Sequence, residues 1–162
     1  MDFEPLWQDI EAIGIGMVTT WNAGNLQSRP MLASVDREDD ALYFFTRAGD
    51  HKVEEVRRRH EVGVSFVDSA KEIYIAVAGQ ASIVNDREKA REHRSLAALA
   101  WFDDGVEDDG LRLLKVDVHR AERWDVTANP LKKAWEIIRS QKTPRTPDVT
   151  ENTTFQRQPE ES

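Results

Sequence analysis

No cysteine occurs among the 162 residues, which excludes disulfides, thiolate metal sites and a cysteine nucleophile, and agrees with a reducing compartment. Positive charge is in deficit. The 22 Lys and Arg against 30 Asp and Glu give a formal net charge of -8, which disfavours nucleic acid and anionic lipid as partners while leaving room for a local basic pocket. Long apolar runs are also missing: nothing approaches the roughly 20 consecutive apolar residues that span a bilayer. The opening MDFEPLWQDIEAIGIG has no basic n-region before an apolar stretch, so a cytoplasmic, soluble protein is expected. What remains, 40% hydrophobic and 32% charged, suffices for one globular domain with a single core.

Within that domain the pattern is mostly β. Leu6, Trp7 and Ile10 at helical spacing, with Pro5 in the first turn, predict a short entry helix. Strands are expected over Ile13 to Trp21, through Asn22-Ala23-Gly24-Asn25 into a returning strand that runs on to Val35, and over Ala41 to Thr46, a three-strand meander. A surface helix follows over Asp50 to His60, with Asp50 as a candidate cap and the pairs Glu54 with Arg58 and Glu55 with Arg59 at i, i+4. Val62 to Asp68 and Ile73 to Val84 are the next strands, and Gly79 inside the second marks a bulge or a close backbone approach. A helix over Asn85 to Ala100 capped by Asp86, a last strand around Val116 and Val118, and a helix over Leu131 to Gln141 complete the domain at residues 1 to 141. Residues 142 to 162 are polar and proline-bearing, and are expected to form a flexible tail. Short connections favour antiparallel pairing, and about six strands with two or three helices close most economically as a barrel.

Several residues invite a chemical reading. Arg29 and Pro30 sit in the middle of the alternating stretch LQSRPML, where neither is ordinary for a strand. Arg29 and Lys52, with the Thr46 hydroxyl and free N-H groups at a helix start, could together receive a phosphate; as an exposed strand arginine and a first-turn lysine they would look the same. His51, His60, His93 and His119 lack metal-ligand spacing and fall mostly on predicted helix surfaces, so no metal site is assigned. The acidic loop Asp103 to Gly110 does not follow the calcium-loop order, and Arg57 to Arg59 read as a solvated helix face.

The ordered series SRPM (28 to 31), LYFFT (42 to 46), HKVEEV (51 to 56), VSFVD (64 to 68), IAVAGQASIVNDREK (75 to 89), AWF (100 to 102) and RWDV (123 to 126) resembles the general stress protein 26 family. That family belongs to the FMN-binding split barrels related to pyridoxamine 5'-phosphate oxidase. The resemblance implies a six-stranded antiparallel split barrel with flanking helices, a homodimer, and FMN at the subunit interface. It implies that Arg29, Lys52 and Thr46 meet the phosphate, that Pro30 and Met31 lie against the isoalloxazine, and that Phe45, Gln80, Trp101 and Trp124 are further cofactor contacts. Trp101 would come from the partner subunit. One position departs: many relatives carry a small hydroxyl residue shortly before the lysine, where this chain has Asp50, a carboxylate that repels phosphate unless it turns away as a cap. The implied function is that of a flavoprotein, an oxidoreductase with an unassigned substrate. The alternatives are a flavin holder without turnover, or a barrel for another phosphate-bearing ligand such as a deazaflavin or a haem-related molecule.

Overall fold

The computed structural model describes residues 3–95, 100–127 and 151–157. Helix α1 (Glu4–Ile13) begins with Pro5 in its first turn and buries Leu6, Trp7 and Ile10. Strands β1 (Ile15–Asn22) and β2 (Asn25–Leu32) form a hairpin whose turn residues Ala23 and Gly24 have φ of 49° and 92°. Two successive positive φ angles are what a two-residue turn needs to match strand twist. Strands β3 (Ser34–Asp36) and β4 (Ala41–Arg47) pair next, then α2 (His51–Arg58), β5 (Glu61–Asp68) and β6 (Ile73–Val84). Helix α3 (Arg87–Glu92), a single 3-10 turn at Gly105–Glu107, β7 (Leu111–Asp125) and β8 (Glu151–Gln156) finish the described chain.

All ladders are antiparallel and run in the order β2-β1-β5-β6-β7-β4-β3, with β8 added to β7. The sheet does not close. Its two end strands, β2 and β3, are joined in sequence by Ala33 alone, whose N–H is taken by the Gly14 carbonyl at 2.8 Å, so the barrel is split at one residue. The three-strand meander is corrected accordingly: β2 pairs with β1, β3 with β4, and β4 with β7. Six strands become eight, because Ala33 divides one expected strand and because residues 151–156, expected in a flexible tail, pair with β7. Phe155 on β8 is buried and packs 5.4 Å from the Phe3 ring, which anchors that segment to the core. The expected helix over Leu131 to Gln141, and residues 96–99 of the helix expected over Asn85 to Ala100, lie outside the described residues.

The long β6–β7 ladder carries the bulge expected at Gly79. Its register steps from Ala78 opposite Arg120 to Gly79 opposite Val118, leaving His119 extra. A Cβ on residue 79 would stand 2.2 Å from the Asp117 carbonyl oxygen, so only glycine fits. Val18, Leu42, Phe44, Val64, Phe66, Ile75, Val77, Leu114 and Val116 fill the barrel. A smaller core forms on the other face of β4, where Ala41 and Tyr43 meet Ala90, Phe102, Leu111 and Leu113.

Helix α3 is shorter than expected. Asp86 caps it as the sequence indicates, accepting from the N–H groups of Glu88 and Lys89 at 2.9 and 3.2 Å. Lys89 then ties α3 to the end of β3 by donating to Asp36 Oδ2 at 2.8 Å. Burial pushes the Asp36 carboxyl up, but Lys89, the Asp39 N–H and His93 outweigh it and bring it down from 3.8 to about 2. A carboxyl lowered in the folded state contributes stability that is complete above its unfolded value and is lost as pH falls through the folded one. Acid unfolding should therefore lose about 2 kcal/mol between roughly pH 4 and pH 2 through this group. Asp36→Asn, followed by denaturant titration across that range, should flatten this part of the profile; an unchanged profile would show that other carboxylates govern it.

Candidate functional site

Strand alternation decides where Arg29 points. It stands opposite Val18, which is fully buried, so its side chain shares the inner face with Val18 and Thr20. Pro30 stands opposite Met17 on the outer face, and Met31, back on the inner face, packs against the main core. Arg29 reaches α2. It donates to Glu55 Oε2 at 2.9 Å and to Thr20 Oγ1 at 2.5 Å, while the Thr20 hydroxyl donates to the same glutamate oxygen. The Glu55 side chain is 5% exposed, and its Oε1 has no hydrogen-bond partner among the described residues.

A second cluster closes the start of α2. Asp50 Oδ2 accepts from the Thr46 hydroxyl at 2.9 Å, from the Arg47 N–H at 3.1 Å and from Lys52 Nζ at 2.7 Å. Asp50 occupies the cap position but makes no side-chain cap bond; its carboxylate turns back onto β4 instead. Burial would raise the Asp50 carboxyl, yet Lys52, the Arg47 N–H and the Thr46 hydroxyl together hold it below its ordinary value. The three donors converge on one oxygen, as they would on the oxygen of a bound oxyanion.

The sequence-predicted residues therefore divide. Arg29, Thr46 and Lys52 gather around α2, whereas Phe45, the neighbour of Thr46, points to the opposite face of β4 and packs edge-on against Phe102 at 6.3 Å. Gln80 is exposed on β6, between Glu61 and Asp117 in the ladders, and Trp124 is half-buried on β7 opposite Tyr74. Trp101 is 74% exposed, and its carbonyl accepts from Arg47. Two further expectations change. Glu55 pairs with Arg29 rather than with Arg59, and Arg57 pairs with Glu54 at 2.8 Å. His93, placed on a helix surface by sequence, is largely buried between Ser34, Asp36 and Tyr43.

A family model for proteins like pyridoxamine 5'-phosphate oxidase matches residues 2–148. The chain belongs to the pyridoxamine 5'-phosphate oxidase-like family. A general stress protein 26 from a Jannaschia species superposes with a TM-score of 0.72 at 26% identity, covering 94% of this chain and 96% of that one. The general stress FMN/FAD binding protein of Xanthomonas citri shares the fold, with a TM-score of 0.68 at 20% identity over 75% of this chain and 87% of that one. Protein bli-3 of Neurospora crassa is 34% identical over 112 residues, 65% of this chain and 54% of that protein, so the match spans about half of its length. For this member of the pyridoxamine 5'-phosphate oxidase-like family, the open antiparallel sheet agrees with the split barrels it superposes on.

Sequence reasoning missed Glu55 and Thr20. Lys52 and Glu55, three residues apart on one edge of α2 beside Val53 and Val56, were the available signal. Removing one member of a buried ion pair strands the other charge, whereas removing both leaves little net change. Arg29→Met should cost about 3 kcal/mol in denaturant unfolding. Arg29→Met combined with Glu55→Gln should recover a large part of that loss. Additive losses in the double-mutant cycle would show that the pair is not coupled.

Proposed function

We propose that this protein is an FMN-binding homodimer in which Lys52, the Thr46 hydroxyl and the Arg47 N–H receive the flavin phosphate once Asp50 yields its place, with Arg29 adding a guanidinium. The convergence of those three donors on Asp50 Oδ2 carries the reading: an internal carboxylate already stands where a phosphate oxygen would. The flavin-binding name of the Xanthomonas citri relative supports the cofactor class. Bound flavin would supply hydride or electron transfer, and the protein would orient and shield it, as an oxidoreductase linked to pyridine nucleotide or oxygen. Pro30 and Met31 would then lie along the ring, and Phe45, Gln80, Trp101 and Trp124 would complete the contacts across two subunits.

The dimer reading rests on an apolar outer face. Ile15 is 55% exposed, Leu26 69%, Val67 54% and Tyr74 40%, and Met17 stands among them on adjacent strands. A patch of this kind on a soluble domain marks a contact surface. Trp101, exposed at 74%, is available to a second subunit in the same way.

The phosphate claim is tested by titrating the purified protein with FMN and with riboflavin, following flavin fluorescence. FMN should bind more tightly than riboflavin, and Asp50→Ser should tighten FMN by about tenfold, near 1.4 kcal/mol, while leaving riboflavin unchanged. Equal affinity for the two flavins in both proteins would refute the phosphate site. Met17→Asp should shift the protein to a monomer in size-exclusion chromatography and weaken FMN binding with it. A dimer that survives this charge would place the interface elsewhere.

A further inference from the structure

Away from the α2 cleft, β3 and the end of α3 bring three side chains into a line that the flavin reading does not use. Ser34 Oγ lies 2.8 Å from His93 Nδ1, and His93 Nε2 lies 3.1 Å from Asp36 Oδ2. Asp36 is fixed from its other side by the N–H groups of Glu38 and Asp39, each 3.0 Å from Oδ1, and by Lys89 at 2.8 Å. An anionic Asp36 accepts, so Nε2 carries the ring proton and Nδ1 is left to accept from the Ser34 hydroxyl. The His93 ring is held in that orientation by stacking on Tyr43, 4.4 Å between centroids and 16° between planes. A cavity of about 230 Å³ opens over this line, walled by Leu32, Ser34, Tyr43, Phe45, His93 and Arg94.

A nucleophile bonded to a base that is bonded to an orienting carboxylate is recognised by geometry and roles, whatever the chain order or the ring nitrogen used. We propose that Ser34, His93 and Asp36 form a hydrolytic triad acting on small carboxylic esters that enter this cavity. Ser34 Oγ forms a bond to the ester carbonyl carbon as its proton passes to His93 Nδ1. The carbon–oxygen bond to the alcohol then breaks, and His93 returns that proton to the departing alkoxide. Water, giving a proton to His93, attacks the acyl carbon; the bond to Ser34 breaks, and the carboxylic acid and the free serine are restored. Arg94, which makes no hydrogen bond or ion pair with other described residues, borders the same cavity and is the group available to the oxyanion. The volume limits the acyl part to a few carbons, and Tyr43 and Phe45 offer apolar walls to it.

Asp36, Glu92 and His93 also fall within the reach of one metal ion, but both Asp36 oxygens are already engaged, Oδ2 by the Lys89 ammonium and Oδ1 by the N–H groups of Glu38 and Asp39. Reactivity separates a working triad from a structural hydrogen-bond network. Full-length protein is assayed for hydrolysis of p-nitrophenyl acetate and p-nitrophenyl butyrate, and is treated with a fluorophosphonate probe followed by peptide mass mapping. The expected result is turnover above buffer, a covalent adduct on Ser34, and a loss of roughly 100-fold or more in both Ser34→Ala and His93→Gln. His93→Gln keeps a side chain that hydrogen-bonds without acting as a base, so it separates catalysis from packing. Hydrolysis that survives Ser34→Ala, an adduct on another residue, or no turnover and no adduct at all would overturn the proposal.

Discussion

Glu55 is a carboxylate with 5% of its side chain exposed, and a charge so placed is tolerable only beside a cation. Arg29 is that cation, and its presence in the middle of β2 follows. The residue opposite a buried Val18 must face inward, and there its guanidinium is matched by Glu55 on α2. Thr20, two residues along β1 on the same face, joins both groups. The ion pair thus joins the β1–β2 hairpin to α2, which docks through Val53 and Val56, and holds Arg29 beside the cleft. Pro30 is left on the outer face, where its missing N–H and its ring suit a surface rather than a core.

The same balancing is repeated at Asp50, and there it bears on the proposed phosphate site. Both cations that could meet a phosphate, Arg29 and Lys52, are neutralised by carboxylates of the same helix segment, Glu55 and Asp50. An incoming anion would find its donors already aligned, so little of its binding energy would be consumed in ordering them. It would also have to displace a carboxylate that those donors hold ionised. Affinity for an anion in this cleft would therefore be a difference between two similar charge-assisted sets of bonds. Small changes at position 50 act directly on that difference, whereas position 55 supports the fold as well.

Much of the architecture was legible because it is written locally. Runs of β-branched, aromatic and apolar residues marked β1, β4, β5 and β6, alternation marked β2 and β7, the Ala23-Gly24 turn marked the hairpin, and Gly79 marked the bulge. What stayed hidden depends on distant partners. Ala33 ends a strand only because its N–H is claimed by Gly14, and ENTTFQ became a strand because Phe155 finds the Phe3 ring. Glu55 and His93 follow the same rule: the sequence placed both on helix surfaces, and each is buried because a strand residue, Arg29 or Ser34, supplies the complementary group. Arg29 and Lys52 were legible as cations near α2; that Glu55 and Asp50 already pair with them was not.

Strand β4 ties these observations together. Leu42, Phe44 and Thr46 face the barrel and the α2 cleft, while Tyr43 and Phe45 face the second core and the cavity over Ser34 and His93. A two-residue period thus lets one strand wall two chemically different places, one governed by paired charges and the other by a buried hydrogen-bond line. The division also puts Thr46 and Phe45, adjacent in FFT, on opposite faces of β4, so only Thr46 borders the α2 cleft.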